Sequence, residues 1–160
     1  MKVCYPGTFD PITKGHLDII IRASKQFEEV VVLVMSNPNK KSLFTKEERK
    51  ELIDLSLEEY QLSNVTVVIG EGLTVEKVKE LGATALIRGI RAVSDYEYEL
   101  IQATANMQLD ASIETIFFIA QPKYSFLSSS IVKEIASYGK DISDFVPEVI
   151  TERILNRLHQ

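Results

Sequence analysis

Val30-Val31-Val32-Leu33-Val34-Met35 is the longest apolar run of the chain, unbroken and rich in β-branched residues. A short run of this kind reads as a strand buried on both faces of a parallel sheet. Val3–Tyr5, Val65–Ile69, Ala83–Ile87 and Thr115–Ala120 have the same character. Between these runs apolar residues recur near the helical period. Leu17, Ile20, Ile21, Ser24 and Phe27 form one stripe; Leu52, Ile53, Ser56 and Leu57 a second; Leu100, Ala103 and Met107, with Ile101, a third. Thr45-x-x-Glu48 and Ser94-x-x-Glu97 have the spacing of capping boxes that open helices. Gly82 and Gly139 fall where helices should close, and Pro147 suits the first position of a C-terminal helix. Strands alternating with helices predict a doubly wound α/β domain over residues 1–160. Its parallel sheet has five strands, with helices on both faces. Ligands of such sheets bind at the carboxyl ends of the strands, where strand order reverses. The chemistry is therefore expected in the loops after the first, second, fourth and fifth strands.

Composition narrows the classes. The chain has 160 residues, 45% hydrophobic and 26% charged, ordinary globular values that argue against disorder, collagen and coiled coil. No apolar run approaches the ~20 residues a membrane span needs. The N-terminus Met1-Lys2-Val3-Cys4-Tyr5-Pro6 carries no hydrophobic signal core, so a cytoplasmic protein is expected. The lone Cys4 excludes an internal disulfide and a cysteine-based metal site, and reads as a small buried residue of the first strand. With 18 Lys plus Arg against 23 Asp plus Glu, the net charge is −5, a poor footprint for nucleic acid. The basic residues that matter must be local, at Asn39-Lys40-Lys41 and Arg88-Gly89-Ile90-Arg91.

The loops carry the signal. Tyr5-Pro6-Gly7-Thr8-Phe9-Asp10-Pro11-Ile12-Thr13-Lys14-Gly15-His16 holds two prolines and two glycines, as in a rigid turn, and runs into the first helix. Helix N-termini favour anions and disfavour imidazolium, so a neutral His16 donating one hydrogen bond is expected there. Lys40 and Lys41 follow the second strand. Arg88 and Arg91 follow the fourth; they suit bidentate grip on phosphate, and Gly89 would let the backbone approach a ligand. Gln121-Pro122-Lys123-Tyr124-Ser125-Phe126-Leu127-Ser128-Ser129-Ser130 follows the fifth. One serine suffices as a cap, and three in a row can make a hydroxyl and N–H cradle for phosphates. There is no Walker-type phosphate loop, no G-x-G-x-x-G, no carboxylate pair for glycoside chemistry and no zinc-ligand cluster. Nothing is expected of the second histidine, His159.

Gly7-Thr8-Phe9-Asp10-Pro11 followed by Thr13-Lys14-Gly15-His16 resembles the T/H-x-G-H signature of the nucleotidyltransferase superfamily. Ser128-Ser129-Ser130-Ile131-Val132-Lys133 resembles its second signature, I-S-S-T-x-x-R, with Ser130 and Lys133 at the Thr and Arg places. Tyr5–Pro11, Phe44-Thr45-x-Glu47-Glu48-Arg49, Leu86-Ile87-Arg88-Gly89-x-Arg91-Ala92-x-x-Asp95-x-Glu97-x-Glu99 and Ser125-Phe126-x-Ser128-Ser129-Ser130 resemble the bacterial phosphopantetheine adenylyltransferases, over nearly the whole chain in one register. The resemblance implies a Rossmann-like nucleotidyltransferase fold. It also implies a reaction, in which ATP and 4′-phosphopantetheine give dephospho-coenzyme A and pyrophosphate with Mg²⁺, the penultimate step of coenzyme A synthesis. A cytoplasmic homohexamer with coenzyme A as feedback inhibitor is implied as well. On the matching positions, His16 would act on the α-phosphate and Thr8 would stand between the substrates. Lys40 and Arg88 would hold the acceptor phosphate, and Thr74 would touch the pantetheine arm. Phe9, Gly89, Ile90, Arg91, Glu99, Tyr124, Ser125, Phe126, Leu127, Ser128, Ser129 and Ser130 would line the ATP site.

Three rivals remain at this level. Another small nucleotidyltransferase, taking nicotinamide mononucleotide or glycerol phosphate, would not need the Arg88–Glu99 segment. A class I aminoacyl-tRNA synthetase shares the histidine signature, but an acidic chain of 160 residues has no room for a tRNA-binding domain. A non-catalytic ATP-sensing module would need neither a second anion clamp nor a histidine facing the α-phosphate.

Overall fold

A computed structural model describes residues 1–159. The elements follow in the order β1 (Lys2–Gly7), α1 (Lys14–Ser24), β2 (Glu29–Val34), α2 (Lys46–Glu58), β3 (Val65–Ile69), α3 (Thr74–Glu80), β4 (Ala85–Ile90), α4 (Val93–Leu109), β5 (Glu114–Ile119), α5 (Ser129–Ser137) and α6 (Glu148–Leu158). The five strands are all parallel, in the order β3-β2-β1-β4-β5. The chain winds outward from β1 through β2 to β3, then returns to the other side of β1 for β4 and β5. Strand order therefore reverses between β1 and β4, and the crevice at their carboxyl ends is where a ligand belongs.

Side-chain alternation sorts the core into two layers. Val3, Tyr5, Val30, Val32, Val34, Ala85 and Ile87 point to one face, where α1, α2, α5 and α6 cover them with residues such as Ile20, Leu52, Val132 and Ile150. Cys4, Val31, Leu33 and Leu86 point to the other, against Val75 and Val78 of α3. Cys4 is fully buried, as expected, and burial pushes its thiol up to about 11.

Several sequence readings need correction. β4 runs to Ile90 because its ladder with β5 continues through Arg88↔Phe117, Gly89↔Phe118 and Ile90↔Ile119, so Arg88 and Gly89 are strand residues and not loop residues. Thr45 caps α2 as expected, but Ser94 lies inside α4, whose N-cap is Ala92 with no side-chain bond. Pro147 is the N-cap of α6 and precedes its first turn. The third apolar stripe is split. Its Leu100, Ile101 and Met107 are exposed, while its Ala103, with Asp95, Glu99 and Asn106, is among the more buried residues of α4. Apolar residues on several faces of this helix left its rotation undetermined by period alone.

Candidate active site

The loop from β1 to α1 is shaped by close packing. At Phe9 the backbone is left-handed, with φ 47°, and the ring folds back on Gly7, where an added Cβ would meet it at 2.8 Å. Phe9 packs edge-on against Tyr5 at 5.3 Å and against His16 at 5.1 Å between ring centroids. Gly89 also lacks a side chain for a packing reason: a Cβ there would lie 2.6 Å from Ile19 of α1. The missing side chain lets α1 approach β4.

His16 is fixed by the cap of its own helix. Thr13 is the N-cap of α1 and His16 the third helical residue. The Thr13 Oγ1 accepts from the His16 backbone N–H at 3.3 Å, and His16 Nδ1 accepts from the Thr13 N–H at 3.1 Å. An imidazole nitrogen that accepts from a backbone amide has no proton of its own. The neutral ring therefore carries its hydrogen on Nε2. Burial, with Arg91 and Arg88 nearby, lowers the pKa of His16 to about 4, so the ring is neutral at physiological pH.

A cavity of about 570 Å³ opens at the reversal point. It brings together Thr8, Phe9, His16, Lys40, Arg88, Gly89, Arg91, Glu99, Tyr124, Leu127, Ser128, Ser129 and Ser130, nearly all of the expected site residues. Ile90, Ser125 and Phe126 are not among its walls. Ile90 is buried at the end of β4, and the exposed Phe126 packs edge-on against Phe145. Thr74 lines a smaller adjoining cavity of about 230 Å³, with Leu73, Tyr98 and Asn106. The two cavities share Pro6, Arg88 and Glu99 as a common wall.

The charged groups are held differently from one another. Arg88 makes two parallel bonds to Glu99, from Nε at 2.6 Å and Nη2 at 2.8 Å, and a third from Nη1 to the Pro6 carbonyl at 2.9 Å. Burial opposes its charge, but the Glu99 carboxylate holds the guanidinium above its ordinary value. Glu99 thus sits at the site as the partner of Arg88. Arg91 donates from Nε to Asp95 at 3.0 Å and from Nη1 to the Leu127 carbonyl at 2.8 Å, which ties the end of β4 to the loop after β5. Lys40 stands exposed in the turn after β2. The three serines divide their work. Ser128 caps α5 by accepting from the Ile131 N–H at 3.2 Å, Ser129 donates to the Pro11 carbonyl at 2.7 Å, and Ser130 is exposed.

Residues to which the sequence assigned no site role also line the cavity, among them Tyr5, Asp10 and Thr13, together with Lys41 and Lys133 of the quoted motifs. Thr13-x-x-His16 has the spacing of a capping box, and that signal was available. Lys133 pairs with Asp10 at 3.1 Å, a contact across the whole site that no local pattern announces.

The cytidylyltransferase-like family matches residues 4–135 of the chain. The phosphopantetheine adenylyltransferase of Finegoldia magna is 54% identical over 158 residues, covering 99% of this chain and 96% of that protein. That of Lachnoclostridium phytofermentans is 52% identical, covering 98% and 96%. The chain belongs to the phosphopantetheine adenylyltransferase family. Solved structures agree on the fold. A Vibrio parahaemolyticus structure assigned as a nicotinate-nucleotide adenylyltransferase superposes with a TM-score of 0.72 at 19% identity, over 98% of this chain and 94% of that one. The nicotinic acid mononucleotide adenylyltransferase of Plasmodium falciparum, complexed with NaAD, gives 0.68 at 17%, over 99% and 94%.

Proposed function

We propose that this adenylyltransferase acts by positioning and charge neutralisation, without a general base. Its reaction transfers the adenylyl group of ATP to 4′-phosphopantetheine, giving dephospho-coenzyme A and pyrophosphate, in coenzyme A synthesis. The nucleophile is a phosphate monoester with a second pKa of about 6, so it is already ionised at neutral pH. What remains is to bring two anions together and to stabilise the charge on the α-phosphate.

One observation carries the reading. A single cavity holds cations from the ends of β2 and β4 together with a histidine whose free N–H is set by its own helix cap. His16 donates from Nε2 to an α-phosphate oxygen as phosphorus becomes five-coordinate. Lys40, with the N–H groups that Arg88 has left over, holds the acceptor phosphate. Glu99 keeps the Arg88 fork in plane for that contact. Arg91 and the Ser128–Ser130 turn at the start of α5 hold the β- and γ-phosphates, where helix N–H groups favour anions. Thr8 lies between the two substrates. The adjoining cavity beside Thr74 takes the pantetheine arm, and coenzyme A, which carries the same arm, would inhibit by occupying it.

Among the described residues, no three His, Cys, Asp or Glu side chains come together to hold a metal ion. Of the two carboxylates in the cavity walls, Asp10 is engaged by Lys133 and Glu99 by Arg88. Mg²⁺ entering with ATP would supply charge neutralisation at the phosphates. No helix is long and apolar enough to cross a membrane among the described residues.

The test is a pair of titrations on native and Lys40→Ala protein. A charge-assisted contact is worth roughly 1.5–3 kcal/mol, so kcat/KM for 4′-phosphopantetheine should fall about 10- to 150-fold with ATP affinity little changed. Loss of ATP binding with acceptor binding kept would assign Lys40 to the wrong substrate.

A further inference from the structure

The segment from Met35 to Thr45 links β2 to α2 and carries Lys40 at its exposed middle. Both of its ends are tied to the β1–α1 loop by buried charges. Asp10, 3% exposed, reaches out of that loop and accepts from the Leu43 N–H at 2.8 Å and the Phe44 N–H at 2.9 Å, one carboxylate oxygen each. Arg49, 2% exposed, reaches back from α2. Its Nη1 donates to the Thr8 carbonyl at 2.6 Å and to the Met35 carbonyl at 3.0 Å, and its Nε to the Thr45 carbonyl at 3.3 Å. A backbone bond from the Met35 N–H to the Gly7 carbonyl at 2.8 Å adds to the seam.

Two buried opposite charges therefore act on backbone groups rather than on each other. Buried ion pairs are often replaceable by apolar residues without loss of stability. Here an apolar pair would leave the Leu43 and Phe44 amides and the Thr8 and Met35 carbonyls without side-chain partners. The arrangement fixes where the Lys40 turn leaves and rejoins the loop that carries Thr8 and leads to His16.

We propose that Asp10 and Arg49 are positioning residues for the acceptor: together they set the place of Lys40 relative to Thr8 and His16. This rests on the reading that Lys40 grips the acceptor phosphate. Neither residue needs to touch substrate. Asparagine in place of Asp10 has one acceptor oxygen, so it can keep at most one of the two amide bonds. Lysine in place of Arg49 keeps the charge but lacks the fork that spans Thr8, Met35 and Thr45.

A double-mutant cycle tests it, with kcat/KM for 4′-phosphopantetheine measured at saturating ATP. Asp10→Asn should lower this value about 10-fold in the native background and less than about 3-fold in Lys40→Ala, because the two changes act through one contact. Arg49→Lys should behave alike and leaves the Lys133 pairing of Asp10 untouched, so it stands in if Asp10→Asn fails to fold. Under either substitution, KM for ATP should move less than about 3-fold. The same loss in both backgrounds would overturn the proposal, since Asp10 and Arg49 would then act independently of Lys40. A Lys40→Ala protein with unchanged acceptor kinetics would instead refute the reading of Lys40, and the positioning role would fall with it.

Discussion

At His16 a local structural device and a catalytic requirement coincide. The capping box with Thr13 starts α1 and makes Nδ1 an acceptor, which leaves Nε2–H for the cavity. A group that acts mainly on the transition state should show it in kcat. His16→Ala is expected to lower kcat by about 10²–10³-fold with ATP binding nearly intact, read by steady-state kinetics and an ATP titration. Near-normal kcat would remove His16 from the mechanism. The folded ring titrates at about 4 and the unfolded one near 6.5, so the unfolded chain takes up the proton first. Stability should therefore decline as the pH falls from about 6.5 to about 4, and NMR of the ring nitrogens should show a neutral imidazole down to about pH 5. A midpoint near 6.5 would contradict the buried, cationic setting. The histidine was legible in the sequence because its motif is contiguous. Asp10 and Arg49 were not legible as the ties between the β1–α1 loop and the Lys40 segment, because the contacts that bridge the two, Asp10 to Phe44 and Arg49 to Thr8, span 34 and 41 residues. Each lay inside a quoted motif, but only the fold shows what it holds.

At the scale of elements, caps that rest on one turn were readable and helix rotation was not. Thr45-x-x-Glu48 forms the expected reciprocal bonds, Glu48 N–H to Thr45 Oγ1 at 3.1 Å and Thr45 N–H to Glu48 Oε2 at 2.8 Å. Ser94-x-x-Glu97 has the same spacing, but Asp95 already accepts from the Arg91 backbone N–H at 3.1 Å, and the helix starts ahead of Ser94. Glu48 has a second function, a paired contact with Arg157 that joins α2 to α6. The Arg157 bonds, and then the Thr45 amide, lower its pKa to about 2. A depressed carboxylate stabilises above its unfolded pKa, and that contribution is lost as the pH falls toward the folded value. Glu48→Gln should cost about 0.5–1 kcal/mol at pH 7, partly screened by solvent, and the difference from native should shrink between about pH 4.5 and 2. Urea denaturation of both proteins across this range measures it. An undiminished difference at the acid end would assign the effect to the cap alone.

For the whole molecule, the strand order places the site, and α4 places the surface left over. The five-stranded sheet and its two helical layers were legible because buried parallel strands are short apolar runs. The outward face of α4 was not, because its meaning lies outside one chain. Tyr96, Tyr98, Leu100, Ile101, Met107 and Leu109 are 43–66% exposed there. They lie on more than one face of α4, more exposed apolar surface than one chain covers, and such surface marks an interface. Association through α4 is expected, in line with the homohexamer that the family resemblance implies. Light scattering should find an oligomer at micromolar concentration, weakened by charged substitutions at Ile101 and Leu109, and a stable native monomer would contradict it. The central claim, that two anion clamps in one cavity make a transferase with no base of its own, is tested most directly by pyrophosphate release from ATP. Release should be rapid with 4′-phosphopantetheine and nearly absent with dephosphorylated pantetheine or with no acceptor, since both the nucleophile and the group held by Lys40 are then missing. Comparable release without the acceptor phosphate would contradict the account.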